Sequence, residues 1–399
     1  MVIKMKYNFD EIVDRTGTDC LKYDFAAERG MPADILPLWV ADMVFKTAPC
    51  ITQRMQKDIE HGIFGYTDSK DDYFHALADW YETYFDWKAE KSWLVKTPGI
   101  VFAIAMAVQA FTKEGDGVIL QQPVYYPFSG VIKDNNRKLV NSELVLKDGH
   151  YEMDFADFED KIVRENVKLF LLCSPHNPVG RVWKKEELQR IGEICLKHDV
   201  KIVSDEIHSD FVYPGYKHHV FLTVDERFKD SSIICTAPSK TFNLAGLQIS
   251  NIFIPNHKLR RAFMQKISEA GYSQVNMLGL HACQAAYENG REWLDQLKIY
   301  LRENLNFVRE YLEKELPKIK LIEPEGTYLI WLDCRALGLP ETELEKLIVH
   351  GAKLWLDSGA IFGTAGEGFE RINIACPRAT LEEALKRFKR AIEDLPKSV

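Results

Sequence analysis

Between residues 117 and 254 the chain repeats one pattern: a short, unbroken run of apolar residues, then a turn carrying polar and titratable side chains. The runs cover 117–120, 168–173, 200–204, 232–236 and 249–254. Strands that are apolar along their whole length have both faces covered, as in a parallel sheet, and the helical segments between them supply the cover. The pattern predicts an α/β fold with a three-layer αβα unit on a mostly parallel sheet. In such a sheet the carboxyl ends of the strands share one edge, so residues far apart in sequence meet in one crevice. Tyr125, Asn177, Asp205 and Lys240 each follow a run and are expected to meet there.

Other segments frame this unit. Residues 1–45 lack periodicity and read as an extended arm. Helices are expected after Pro49, with Ile51, Met55 and Ile59 at spacing four, and over 71–85; a glycine-punctuated loop at 62–68 separates them. The run 100–108 is almost wholly apolar, predicting a helix buried on all sides. Pro98 and Gly99 precede it, leaving free backbone N–H groups that can hold an anion such as phosphate. Helical patterns over 277–289, 292–315 and 341–353, strands at 328–332 and 371–375, and a last helix capped by Thr380 and Glu383 predict a smaller α+β unit. The division expected is an arm at 1–45 packed with the small unit, a large cofactor-binding domain at 46–285 and a small domain at 286–399.

Composition excludes several classes of function. With 399 residues, a soft prior of about 150 residues per domain favours two or three domains. A net charge of −8 argues against a nucleic-acid surface or a polybasic membrane patch. The first ten residues are mixed in polarity, and the longest apolar run, 100–108, is too short to span a bilayer. Eight scattered cysteines with no C-x-x-C pair fit buried thiols in a reducing cytoplasm. A soluble cytoplasmic protein is expected.

The glycine loop at 363–368 lacks the spacing of a nucleotide-binding motif, and the His218-His219 pair has no companion ligands at metal-binding spacing. No metal site is expected. The constellation that remains is Tyr125, Asn177, Asp205, His208, Ser239, Lys240 and Arg371. An isolated loop lysine is ordinarily solvated, but one in step with Asn177 and Asp205 after neighbouring strands is placed to form a Schiff base. Each member has a role if the cofactor is pyridoxal 5′-phosphate (PLP). Lys240 would anchor it, and Asp205 would keep the ring nitrogen protonated. Asn177 and His208 would hydrogen-bond the ring's 3-oxygen, and Tyr125 would stack on the ring. Ser239 and the N–H groups of Gly99, Ile100 and Val101 would take the phosphate, and Arg371 the substrate α-carboxylate through a bidentate pair.

The motifs S-P-H-N-P-V-G (174–180), S-D-E-I-H-S-D (204–210), S-K-T-F-N-L-A-G (239–246) and R-I-N-I-A-C-P-R (371–378) resemble, in order, the signatures of fold-type I PLP enzymes of the aspartate aminotransferase superfamily. The resemblance runs from L-P-L-W-V-A-D-M (36–43) to the closing helix. It implies a homodimer with active sites at the subunit interface, Tyr66 reaching the neighbouring subunit's phosphate, and Val40 and Ala41 lying beside the substrate carboxylate. Two departures narrow it. Many aminotransferases carry Tyr where His208 stands and a phosphate-binding Arg where Gln248 stands. Both, with W-V-A-D-M, resemble the MalY/PatB-type branch of cystathionine β-lyases and cysteine-S-conjugate lyases. The activity implied is α,β-elimination across the Cβ–S bond of a small sulfur-containing amino acid, giving a thiol, pyruvate and ammonia; for cystathionine the thiol is homocysteine. The alternatives are an aminotransferase, which shares the carbanion, or a PLP-binding regulator of a transcription factor. The preferred thiol stays open.

Overall fold

The computed structural model describes residues 6–395; residues 1–5 of the expected arm and 396–399 of the expected small unit lie outside the described residues. Seven strands form the main sheet: β2 (Leu94–Thr97), β3 (Gly117–Leu120), β4 (Lys138–Asn141), β7 (Val167–Cys173), β8 (Lys201–Asp205), β9 (Ser232–Thr236) and β10 (Ser250–Phe253), in the order β2-β10-β9-β8-β7-β3-β4. All neighbours pair in parallel except β10, which runs antiparallel to both β2 and β9. The hairpin β5 (Val145–Lys147) and β6 (His150–Glu152) stands apart.

Both faces of this sheet are apolar, and alternation along each strand divides them. Val118, Leu120, Leu169, Leu171, Val203, Ile233 and Ile252 pack with Ala103, Ile104 and Ala107 of α3 (Ile100–Phe111), Phe128 of α4 (Pro127–Asp134) and Phe263 of α8 (His257–Glu269). Ile119, Phe170, Leu172, Ile202, Ile234 and Phe253 face the other layer. That layer holds α1 (Pro49–His61), α2 (Asp71–Phe85), α5 (Phe155–Arg164), α6 (Lys185–Lys197) and α9 (Met277–Asn289). A buried helix–sheet–helix sandwich of this kind is what continuous apolar strands require. One expectation for α3 is corrected: Val101 is 40% exposed and borders the strand-end cavity, while Ile100 and Ala103 of the same turn are buried.

The second sheet is antiparallel, in the order β11 (Lys320–Ile322), β12 (Leu329–Asp333), β15 (Phe369–Asn373) and β14 (Asp357–Ser358). It is accompanied by α10 (Arg291–Glu315), α11 (Glu341–Lys346) and α12 (Arg378–Glu393). The arm joins here: β1 (Leu36–Pro37) pairs in parallel with β13 (Leu354–Trp355), and Trp39 stacks on Trp355 at 4.6 Å. The expected Thr380–Glu383 capping box does not form. Pro377, whose fixed φ suits a helix entry, is the cap residue of α12, and Glu383 pairs with Arg387 instead. Among the described residues no helix is long and apolar enough to cross a membrane.

Candidate active site

The carboxyl ends of the parallel strands open into a cavity of about 140 Å³. It is lined by Ala41, Gly99, Ile100, Val101, Tyr125, Asn177, Asp205, His208, Ser239 and Lys240, all expected from the sequence, together with Gln248. A larger cavity of about 400 Å³ lies behind residues 209–218 and α10 and holds none of them.

Lys240 lies in the one-turn helix α7 (Pro238–Thr241) that follows β9, and its Nζ donates to the carbonyl of Ala41 at 2.9 Å. Burial lowers its pKa to about 8; Arg371 and Lys22 act in the same direction, while Asp42 and Asp205 oppose them. Asp205 ends β8 with its side chain buried, accepting one bond, from the Ile207 N–H at 3.1 Å. No cation stands within ion-pair distance of it among the described residues, and burial raises its pKa to about 7. His208 packs edge-on against Tyr328, and burial lowers its pKa to about 3, so the ring is neutral. Tyr125 is half-buried beside Phe128, its hydroxyl pushed upward by burial.

The turn from β2 into α3 makes the cavity's polar floor. Gly99 sits at φ 156° and ψ 159°, a backbone region that is essentially glycine's alone, and no side chain caps the helix behind it. The first N–H groups of α3 are therefore left for a ligand. Gln248, also lining the cavity, adopts a left-handed conformation at φ 48°.

Arg371, on β15, is buried and does not itself line the cavity; it is joined to it through Asn177. Its Nη1 donates to Asn177 Oδ1 at 3.0 Å, and its Nη2 donates to the Trp39 carbonyl at 2.8 Å and to the Asp357 carboxylate. The arm is pinned residue by residue. Val40 does not line the cavity; its carbonyl accepts from Asn373 Nδ2 at 2.8 Å, as the Asp42 carbonyl does at 2.7 Å. The Ala41 carbonyl takes the Tyr328 hydroxyl at 3.0 Å as well as Lys240. Behind it Lys22, 1% exposed, pairs with Asp42 at 3.3 Å. Tyr328, Asp357, Asn373 and Lys22 are absent from the sequence-based set: Asn373 stands inside the motif at 371–378 but is given no role there, and the other three lie outside the motifs and reach the site through tertiary pairing. Tyr66 is not brought to this cavity: it is 99% exposed, beside a separate hollow with Phe64 and residues 273–278. His218 is buried against Glu206 at 2.9 Å.

A model of the family described as aminotransferase class I and II matches residues 33–388. Cystathionine beta-lyase PatB of Bacillus subtilis (strain 168) is 43% identical over 385 residues, 96% of this chain and 100% of that protein. Protein MalY of Escherichia coli (strain K12) is 33% identical, over 97% of this chain and 99% of its own. The crystal structure of cystalysin from Treponema denticola, which contains a pyridoxal 5′-phosphate cofactor, matches with a TM-score of 0.95 at 41% identity, covering 98% of this chain and 100% of that one. Likeness over nearly the whole length, together with the strand-end cavity and its lysine, places the molecule: this chain belongs to the aminotransferase class I and II family.

Proposed function

We propose that this chain is a PLP-dependent carbon–sulfur β-lyase that acts on small sulfur-containing amino acids and releases a thiol, pyruvate and ammonia. The observation that carries this reading is a set of three groups in one cavity, each without its natural counterpart inside the protein. Among the described residues, Asp205 is a buried carboxylate with no cation in ion-pair contact and the start of α3 has no capping side chain, while burial lowers the Lys240 amine to a pKa of about 8. A single molecule supplies all three complements: a protonated ring nitrogen, a phosphate and a carbonyl carbon. The residues fit PLP. When bound, it supplies an electron-withdrawing ring that stabilises negative charge at the substrate Cα.

The roles of the chain's own residues follow from their chemistry. Lys240 would hold the cofactor through its amine and, once released, take the proton from Cα. Asp205 would keep a proton at the ring nitrogen. Asn177 and the neutral His208 would donate to the ring's 3-oxygen, and Tyr125 would cover the ring. Ser239 and the N–H groups of Gly99, Ile100 and Val101 would hold the phosphate. Arg371 would receive the α-carboxylate, with Val40 and Ala41 beside it. His208 and Gln248, standing where many aminotransferases have Tyr and Arg, favour elimination over amino transfer, and the names of the relatives above support that choice.

Tyr66 belongs to a homodimer in this reading, reaching the phosphate of the neighbouring subunit. Ile63 and Phe64, both more than 60% exposed beside it, support such a contact. We place the arm, residues 1–45, with a small domain at 286–399, and the cofactor-binding domain at 46–285. Eight free thiols accord with a cytoplasmic location.

Cystathionine supplied to the holoenzyme should yield pyruvate, ammonia and homocysteine. Lys240→Ala should lower that rate by at least about 10²–10⁴-fold, the usual worth of a positioned acid–base group. Recovery of an intact 2-oxo acid, with the amino group passed to a second 2-oxo acid, would establish an aminotransferase instead.

A further inference from the structure

Arg371 does not await its substrate as a free cation. Besides Asn177 and the Trp39 carbonyl, its guanidinium holds the Asp357 carboxylate, and the Phe362 ring lies 4.9 Å from Cζ. Only Nε is left without a partner among the described residues. Register dictates the pairing with Asp357: β14 and β15 are antiparallel, Asp357 stands directly opposite Arg371, and directly opposed residues share one face of a sheet. Asp357 is 6% exposed and Arg371 2%, so the pair is closed off from water.

An incoming α-carboxylate therefore meets a neutral pair in place of a positive charge, and it comes to rest beside a second carboxylate. Where two carboxylates share one site, the pKa of one of them is strongly raised. Asp357 is the one prepared to accept a proton, because burial already raises its pKa while Arg371 alone restrains it. The other titratable groups around it are Tyr125 and Tyr126, neutral hydroxyls both pushed upward, and Glu370, a buried neighbour of Arg371 whose own pKa burial raises. Arg371 is its sole ion-pair partner among the described residues.

We infer that Asp357 is a place-holder for the substrate: it occupies Arg371 in the empty site, yields the guanidinium to the α-carboxylate, and takes up one solvent proton as it does so. No covalent bond to carbon changes; the carboxylate binds as an anion and the proton goes to an Asp357 carboxyl oxygen. Affinity for carboxylates is thereby kept low at high pH. It rises as pH falls through the Asp357 range, until the ligand's own carboxylate is protonated. The inference rests on Arg371 being the α-carboxylate site, though not on elimination being the reaction.

The test uses 3-(methylthio)propanoate, a carboxylate with a thioether and no amine, so that binding needs no cofactor chemistry. Calorimetry on the full chain, with and without PLP, in buffers of differing ionisation enthalpy counts the protons absorbed. The wild-type chain should take up close to one proton per ligand at pH between the value at which Asp357 titrates in the empty site and the higher value it reaches beside the bound ligand. Asp357→Asn keeps an acceptor for Arg371 and removes the charge. It should bind the probe on the order of tenfold more tightly, take up no proton, and lower KM for amino-acid substrates by more than it changes kcat. Binding without proton uptake by the wild-type chain overturns the idea even if the variant fails to fold. Equal or weaker binding by Asp357→Asn overturns it as well. Since the probe is never turned over, a failure here leaves the lyase reading intact, and a failure to release pyruvate leaves this one intact.

Discussion

A lysine amine reacts with a carbonyl only when it has lost its proton, and burial in the strand-end cavity brings Lys240 within reach of that state. Its pKa is lowered from 10.5 to about 8, so the neutral fraction grows as pH rises toward 8 and saturates above it. Cofactor-free chain should therefore capture added PLP faster with rising pH up to about that value and level off beyond it. The rate of appearance of visible absorbance measures this; a rate still climbing tenfold per pH unit well above 9 would show that the amine is not perturbed. How Lys240, Asn177 and Asp205 come together was legible in the chain, because an apolar strand followed by a polar turn fixes which sheet edge a residue occupies. Asp357 was not legible. Its strand has two residues, and its partner is fourteen positions away through the register of a small antiparallel sheet. Nothing in the local pattern encodes that pairing.

At the scale of elements, the strands read best from the sequence are the central ones, and the ones missed are the edges. β2 and β4 close the two sides of the main sheet and are only partly buried, so they carry Lys96, Lys138 and Asn141 among their apolar residues and show no unbroken run. Packing between elements is tight where a helix lies flush on its neighbour. Gly192 of α6 faces Phe228, whose ring stacks on Phe221 at 4.8 Å, and a Cβ at 192 would collide with the Phe228 ring. Alanine would gain about 1 kcal/mol of helix propensity. Over-packing a core contact costs about 1–3 kcal/mol, so packing should win. Gly192→Ala is expected to lower the urea midpoint without altering the slope, and a raised midpoint would mean that Phe228 gives way freely.

At the scale of the whole molecule, the proposed homodimer has to account for Tyr66, which stands exposed and away from the lysine cavity. The hollow around Phe64, Gly65 and Tyr66 is bordered by residues 273–278 and stands apart from the cavity that contains Lys240. Charging this surface with Ile63→Asp and Phe64→Asp together should give a monomer in sedimentation and weaken PLP retention, while the fold persists by circular dichroism. A double variant that sediments like the parent would place the subunit contact elsewhere. Burial periodicity alone could not place Tyr66, which stands exposed in the loop between α1 and α2.

The pinned arm has a consequence for how the protein comes into being. Residues 39–42 present their carbonyls to Arg371, Asn373, Tyr328 and Lys240, and three of those four holders belong to the second sheet and the turn leading into it. Domains tend to fold as they leave the ribosome, amino-terminal part first. The main sheet, its cavity and its lysine are thus complete in covalent terms while the strands that fasten the arm are still unmade. The fastening of residues 39–42 is consequently among the last contacts the chain can make during its synthesis. A molecule interrupted before β15 can own every residue that lines the cavity and still lack the fastening that presents its lysine.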